Sequence, residues 1–407
     1  MINIAIMGHG TVGSGVAEIL INKSNHIAKS INDDVNVKYI LDLRDFNDLT
    51  YSEKFTKEFS DIVNDSEVDI VVEVMGGINP AYNFVKSSLA AGKSVVTSNK
   101  ELVAAKGAEL LKIAKENNVH FMFEASVGGG IPIIRPMARC LAANEILEVK
   151  GILNGTTNYI LNKMIVDNMD FNTALKLAQD NGFAEKNPAS DIEGHDACRK
   201  ICILASLAFG KHVYPQQVIT EGITEISLDD VDYADSFNCV IKLIASTKKL
   251  PSGKITASVR PTLVSRECML SNVDGVFNAV MITGDSVGEV LFYGPGAGKL
   301  PTASAVVADV IDCANHKSFP SYIKWCDGED GYVISHDEKT KLYVYAKSSN
   351  FAALNDQFND LFGDAPCIKN EINGEIAFIT NEELESVLQK KINKLSAETK
   401  KVMHTLF

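Results

Sequence analysis

The chain has 407 residues, of which 46% are hydrophobic and 22% charged, with a net charge of −13 at pH 7. The length allows two or three domains with a sizeable core, and the acidic balance argues against nucleic acid or an anionic membrane as partner. The glycine-broken "MINIAIMGHG" does not read as a signal peptide, no run approaches the roughly 20 apolar residues of a bilayer span, and the scattered cysteines, without a CxxC pair, fit a cytoplasmic protein with free thiols.

In the first third, short β-branched runs at 2–7, 36–41, 68–75, 93–97 and 119–125 alternate with helical patterns at 11–22, 80–91 and 101–117. Continuous apolar strands alternating with helices imply a parallel sheet covered on both faces, a doubly wound α/β domain. From about residue 132 helices are expected near 132–142, 156–167, 171–181 and 191–209, and strands near 147–153, 256–264, 276–283 and 287–293. That pattern is an α+β domain with a mixed or antiparallel sheet. The glycine turn at 294–298 leads into an apolar helix, expected to return to the first domain. Residues 341–396 read as a small β-α-β-β-α unit, entered through the hydrophilic "CDGEDG" at 326–331. The expected division is therefore a dinucleotide-binding domain over 1–131 with 294–318 returning to it, a catalytic and dimerisation domain over 132–293, and a C-terminal domain over 326–407.

"GHGTVG" follows the first strand and opens the first helix. In that context Gly8 permits the tight turn, Gly10 lets backbone approach a pyrophosphate, and Gly13 lets helix pack on strand. The helix N-terminus, beginning Thr11-Val12, supplies N–H groups and positive potential to the phosphates. The bland alternative is a tight βα turn and nothing more. The second strand ends "ILDLRD", so Asp42, Arg44 and Asp45 compete to meet the adenosine ribose. An acid there favours NAD and an arginine accommodates the extra phosphate of NADP; the choice stays open.

In "GFAEKNPASDIEGHDACRKICILASLAF" (182–209) an almost wholly apolar helix begins with crowded charges. Positions 196, 200, 203 and 207 form one stripe, so Asp196 and Lys200 stand where a core-facing row begins. As an exposed i,i+4 pair they would contribute only ~0.2–0.5 kcal/mol. "SDIE" at 190–193 also fits a capping box, Ser190 answered by Glu193. His195 falls on the more polar stripe with Arg199 and reads as non-catalytic. No spacing suggests zinc, and there is no nucleophile elbow.

With "SNKELVAAKG" (98–107), "FEASVGGGIPII" (123–134), "GILNGTTNYIL" (151–161) and "GPGAGKLPTASAVVADV" (294–310), these stretches form a set that resembles homoserine dehydrogenase, over residues 1 to about 315. The family interconverts L-homoserine and L-aspartate 4-semialdehyde with NAD or NADP, in threonine and methionine biosynthesis. The resemblance implies Lys200 as proton donor, Glu185 and Asp196 as substrate-holding carboxylates, Asp191 as an acid that orients the site, and Lys100 as a second lysine beside nicotinamide and substrate. It also implies cofactor contacts from Gly8, Gly10, Thr11, Val12, Gly13, Arg44, Thr97, Lys100 and Gly298. A monovalent cation, Na+ or K+, would be held by the main-chain carbonyls of Glu124, Val127, Gly129 and Ile131, and a homodimer or homotetramer is expected. Phe183 stands where a tyrosine is common.

The roles make chemical sense by themselves. An amino-acid ammonium needs carboxylates, and a proton must move while hydride moves to nicotinamide. Lysine does this if burial or a neighbouring cation lowers its pKa; Lys100 acts in that direction, Asp191 and Asp196 oppositely. Alternatively Lys200 stays ammonium and stabilises an oxyanion. The rivals are another amino-acid semialdehyde or alcohol dehydrogenase, and a catalytically silent NAD(P)-binding sensor, which would not need the charged residues of the 185–200 cluster. The C-terminal unit resembles a shortened ACT domain, an amino-acid effector module, with "KSSNF" where an acid-x-Pro-Gly turn is usual.

Overall fold

The computed structural model describes residues 1–317, 321–335 and 339–407. Residue 318, the end of the expected returning segment, and 336–338 of the C-terminal region lie outside the described residues. A parallel sheet of six strands carries the N-terminal third: β1 (Ile2–Met7), β2 (Val35–Leu41), β3 (Phe55–Thr56), β4 (Ile70–Glu73), β5 (Ser94–Thr97) and β6 (Phe121–Met122), in the order β3-β2-β1-β4-β5-β6. Ile4, Ile6, Val71, Val72, Val95 and Val96 are fully buried, as a sheet covered on both faces requires. Helices α1 (Thr11–Asn22), α2 (Ser24–Ile31), α3 (Phe59–Val63), α4 (Ala81–Ala90) and α5 (Lys100–Glu116) connect the strands. The strand order reverses between β1 and β4, and the crevice at the strands' C-terminal ends there is where dinucleotides bind in this architecture.

The second sheet has ten strands. β7 (Ile146–Ile152), β9 (Cys239–Lys249), β10 (Ile255–Ser265), β11 (Phe277–Gly284) and β12 (Gly288–Pro295) are antiparallel in the order β12-β11-β7-β9-β10, with the short β8 (Ile219–Thr220) parallel to β10. Helices α6 (Gly155–Asp167), α7 (Phe171–Asp180), α8 (Ala189–Ile192), α9 (His195–Phe209) and α10 (Leu228–Ser236) belong to this half. α11 (Lys299–Asn315) goes back to the first half: a Cβ on Gly15 of α1 would lie 3.0 Å from Ala303 Cβ, and Lys299 pairs with Glu18 at 2.7 Å.

Several expectations need correction. The helix expected over 132–142 is present but shorter, over 134–140, and its part Pro136–Cys140 is wound in π geometry, with Leu141 N–H bonded to Pro136 O; the buried Glu124 carboxylate accepts the otherwise free N–H groups of Ile133, Ile134 and Arg135 at its N-terminus. The helix expected over 191–209 is broken into α8 and α9 at Gly194, which has φ 83°. The capping box is absent: Ser190 accepts from Arg199, and Glu193 lies 3.2 Å from His195. The strand β9, at the centre of the second sheet, carries no alternation to betray it; "CVIKLIASTKK" is apolar on both faces at its start.

The C-terminal region adds β14 (Leu342–Lys347), α12 (Phe351–Phe362), β15 (Cys367–Asn370), β16 (Glu375–Ile379), α13 (Glu385–Asn393) and β18 (Thr399–Leu406), beside a small sheet of β13 (Lys339–Thr340) and β17 (Glu383–Leu384). Its order, β18-β14-β16-β15, is that of a split βαβ unit, with one strand more than expected. That last strand joins the two halves: β18 runs parallel to β10, Thr262 opposite His404. Lys401 also reaches Asp230 of α10 at 2.6 Å, and Tyr233 donates to the buried Glu375 at 2.9 Å.

Candidate active site

Each glycine of the loop after β1 has a separate reason to be glycine. Gly8 has φ +100°. A Cβ on Gly13 would lie 1.9 Å from Gly8 O, whereas one on Gly10 would meet nothing within 4 Å. Gly10 therefore keeps backbone open to the crevice, and Thr11 and Val12 begin α1 beside it. At the end of β2, Asp42 accepts from His9 N–H at 2.8 Å and from Arg44 through N, Nε and Nη2 at 3.0, 2.9 and 2.9 Å. Arg44 is exposed, its guanidinium 5.1 Å from the Phe46 ring centroid, and holds the Asp42 carboxyl below the ordinary range. Asp45 pairs elsewhere, with Lys57 at 2.7 Å.

Thr97 is buried and turns its hydroxyl inward, donating to Glu73 at 2.6 Å. Glu73 also accepts Met75 N–H, at 2.8 Å, and burial pushes its carboxyl up against these bonds. Thr97 in turn receives Asn99 N–H at 2.9 Å, and Asn99 caps α5 through Leu102 N–H. This chain of bonds sets the first residue of α5, Lys100. Gly298, with φ +126°, begins α11.

Lys100 and Lys200 come from different halves and meet on one carboxylate. Lys100 Nζ lies 2.5 Å from Asp196 Oδ1, an ion pair without hydrogen-bond geometry, and Lys200 Nζ lies 2.8 Å from Asp196 Oδ2. Lys200 also donates to Leu153 O at 2.7 Å. Burial drives the Lys200 ammonium toward neutrality, opposed by Asp196 and assisted by Lys100. Burial alone would raise Asp196, but Lys200 and Lys100 hold it below the carboxylate range. Asp191 is pushed up, chiefly by burial.

Asp191 and Asp196 would stand about 140° apart on one continuous helix. The turn at Gly194 turns both toward Asn154, whose Nδ2 donates to Asp191 Oδ1 at 2.7 Å and Asp196 Oδ2 at 2.9 Å. Sequence reading missed Asn154 and Leu153, although both stand inside the quoted "GILNGTTNYIL"; an amide and a carbonyl carry no signature of chemistry. Glu185 is not brought into the cluster. It is exposed, its main-chain O accepts from Gln179, and its carboxylate has no hydrogen bond or ion pair among the described residues. A separate cavity of about 1500 Å³ lies against α5, lined by Lys106, His212 and Trp325 and by neither lysine of the pair.

The expected cation ligands lie on the loop from β6 to the helix at 134–140. Outside helices and strands, no backbone hydrogen bond among the described residues is accepted by the carbonyls of Val127, Gly129 and Ile131, while Glu124 opens the 3-10 turn Glu124–Ser126. Gly130 N–H bonds to Pro295 O at 3.0 Å, and Gly129 has no room for a Cβ beside Gly296 O, so the loop is held tightly against 294–298.

Two family models match the chain: homoserine dehydrogenase over 132–311, and the homoserine dehydrogenase NAD-binding domain over 8–124. The homoserine dehydrogenase of Helicobacter pylori is 45% identical over 318 residues, 78% of this chain and 75% of that one. That of Bacillus subtilis is 42% identical over 313 residues, 76% and 72% of the two chains. Among solved structures, a homoserine dehydrogenase from Thiobacillus denitrificans superposes with a TM-score of 0.90 at 34% identity, covering 99% of this chain and 98% of that one. A hyperthermophilic archaeal homoserine dehydrogenase in complex with NADPH does so with a TM-score of 0.65 at 32% identity, covering 77% and 97%.

Proposed function

The chain belongs to the homoserine dehydrogenase family, and from that premise we propose how its residues divide the reaction. The enzyme interconverts L-homoserine and L-aspartate 4-semialdehyde with NAD(P). The nicotinamide accepts or gives the hydride when bound; the protein's own task is to orient the substrate and move one proton. We assign that proton to Lys200. The observation that carries the assignment is its buried ammonium, with Leu153 O and Asp196 Oδ2 as partners at 2.7 and 2.8 Å. An ammonium has three donors, so one remains for the reacting oxygen. Asp196 aligns Lys200 with Lys100, Asp191 orients the cluster, and the free carboxylate of Glu185 takes the substrate ammonium.

For the cofactor we propose Gly8, Gly10, Thr11, Val12 and Gly13 at the pyrophosphate, and Thr97, Lys100 and Gly298 around the rest of the crevice. NADP is the favoured form. Asp42 already accepts four hydrogen bonds, which leaves it little capacity for a ribose hydroxyl, while Arg44 is exposed beside it. The carbonyls of Glu124, Val127, Gly129 and Ile131, all on one loop, are proposed to take a monovalent cation, whose hard charge suits a cage of carbonyl oxygens. Such a cation would hold the loop that leads from the first sheet to the second.

Further parts of the reading concern the whole molecule. A homodimer or homotetramer through the second sheet is supported by Phe277 and Tyr293, stacked at 5.2 Å and exposed on β11 and β12. A cytoplasmic location agrees with eight free cysteines. The C-terminal unit is proposed as an ACT-like domain. NADPH oxidation with L-aspartate 4-semialdehyde tests the assigned activity directly; cofactor binding without turnover would favour a silent sensor. Light scattering at micromolar concentration tests the assembly, and a monomer removes it.

A further inference from the structure

Asn154 ends the chain segment after β7 and caps α6, its Oδ1 accepting Thr157 N–H at 2.8 Å. That bond decides the amide's orientation, because a backbone N–H can only face the oxygen. The NH₂ group must then face the carboxylates, and it gives one hydrogen to Asp191, at 2.7 Å, and one to Asp196, at 2.9 Å. The side chain is buried, so water does not substitute for it. Its neighbour Leu153 supplies the carbonyl that accepts Lys200. Residues 153 and 154 thus touch every member of the cluster except Lys100.

We propose that Asn154 is a positioning residue for the reaction: its amide clamps Asp191 and Asp196 together and holds Asp196 Oδ2 where Lys200 reaches it. The proposal rests on the assignment of Lys200 and Asp196 made above. Four hydrogen bonds meet on this one side chain, and only two of them serve the site. The other two, from Thr157 N–H and Thr157 Oγ1 to Asn154 Oδ1, belong to an ordinary helix cap. Replacing the amide by a carboxylate separates the two roles, since aspartate caps a helix as well as asparagine but has no hydrogen to give when ionised. The charged groups facing position 154 are Asp191 from α8 and Asp196 and Lys200 from α9, with Lys100 of α5 beyond Asp196. A third carboxylate beside Asp191 and Asp196 takes up a proton well above the ordinary range. Protonated, it donates again; ionised, it repels both acids.

The test is Asn154→Asp in the full chain, assayed for semialdehyde reduction across pH beside wild type and Lys200→Ala. At pH about 8 kcat should fall about 10–100-fold, the scale of a misplaced catalytic group, with NADPH affinity unchanged by fluorescence. The ratio of variant to wild-type kcat should rise about tenfold as pH falls from about 9 to about 6. A ratio near one at every pH overturns the proposal, as does a loss of turnover that is flat with pH. If Asn154→Asp does not fold, Asn154→Ser is measured instead: serine also caps α6 but cannot span both acids, so wild-type kcat there overturns the proposal too. If Lys200→Ala itself turns over normally, the site assignment fails and Asn154 with it; if only Lys200→Ala is impaired, Asn154 alone is wrong.

Discussion

Lys200 and Asp196, one turn apart on α9, form a buried ion pair at 2.8 Å, their side chains 9% and 5% exposed. On a solvated helix the same spacing is worth a few tenths of a kcal/mol. Buried, removal of one partner leaves an uncompensated charge, which can cost about 3–5 kcal/mol. Here Asp196 keeps Lys100 and Asn154 when Lys200 is lost, so the stability penalty is smaller than the catalytic one.

Lys200→Ala is therefore expected to fold and to lose about 10²–10⁴ in kcat, with cofactor affinity unchanged because the glycine loop belongs to the other sheet. Glu185→Ala should instead raise the homoserine KM most, since an ammonium contact is made equally in ground and transition states. Steady-state kinetics separate the two. A folded Lys200→Ala enzyme with near-normal turnover would transfer the role to Lys100.

The pH dependence follows from the direction of the Lys200 shift. Its folded pKa lies below the ordinary lysine value, because burial and Lys100 outweigh Asp196. On the proposed assignment, homoserine oxidation needs neutral Lys200 to accept the proton, so its kcat should rise with pH to a plateau reached earlier than an exposed lysine allows. Semialdehyde reduction needs the ammonium and should fall through the same inflection. Lys100→Met removes the neighbouring cation and leaves Asp196 wholly to Lys200, so the inflection should move to higher pH. An inflection that stays in place or moves down contradicts this electrostatic account.

Arg44 lies over Phe46 and grips Asp42 with bidentate geometry. Arg44→Ala should raise the KM for NADPH about tenfold, a typical single charged contact, and leave or improve that for NADH by releasing Asp42 to the ribose. Equal effects on the two cofactors would show that Arg44 only shapes the loop.

On the ACT-like reading proposed for the C-terminal unit, "KSSNF" takes the place of the effector loop, and its residues are tied up internally. Ser349 donates to Glu398, Asn350 caps α12, and Ser348 N–H bonds to Gly374 O. Threonine at low millimolar concentration should leave turnover nearly unchanged; strong inhibition abolished by truncation after about residue 325 would contradict this. Removing residues 399–407 alone should lower the thermal midpoint, because β18 bridges β10 and β14 and its loss uncovers two strand edges.

How much of this was legible in the sequence follows from what periodicity can report. Alternating apolar runs determined the parallel sheet, since strands buried on both faces leave that pattern wherever they occur. The glycine spacing determined the cofactor loop, because a positive φ at Gly8 and the missing space at Gly13 are local demands. The residue types of the 185–200 stretch marked a charged cluster at the start of a core helix. Contact between elements was another matter. Whether Lys100 reaches Asp196 depends on where α5 begins, and hence on the Glu73–Thr97–Asn99 bonds, which no local pattern encodes. Asp191 and Asp196 converge on Asn154 only because the chain breaks at Gly194, where the expected continuous helix would have pointed them apart. The central strand β9 and the bridging strand β18 likewise acquire their places from pairing register, a property of two segments together. Sequence determined what each segment must bury; the tertiary structure alone decided which buried charges face one another, because that is set by turns and registers joining distant segments.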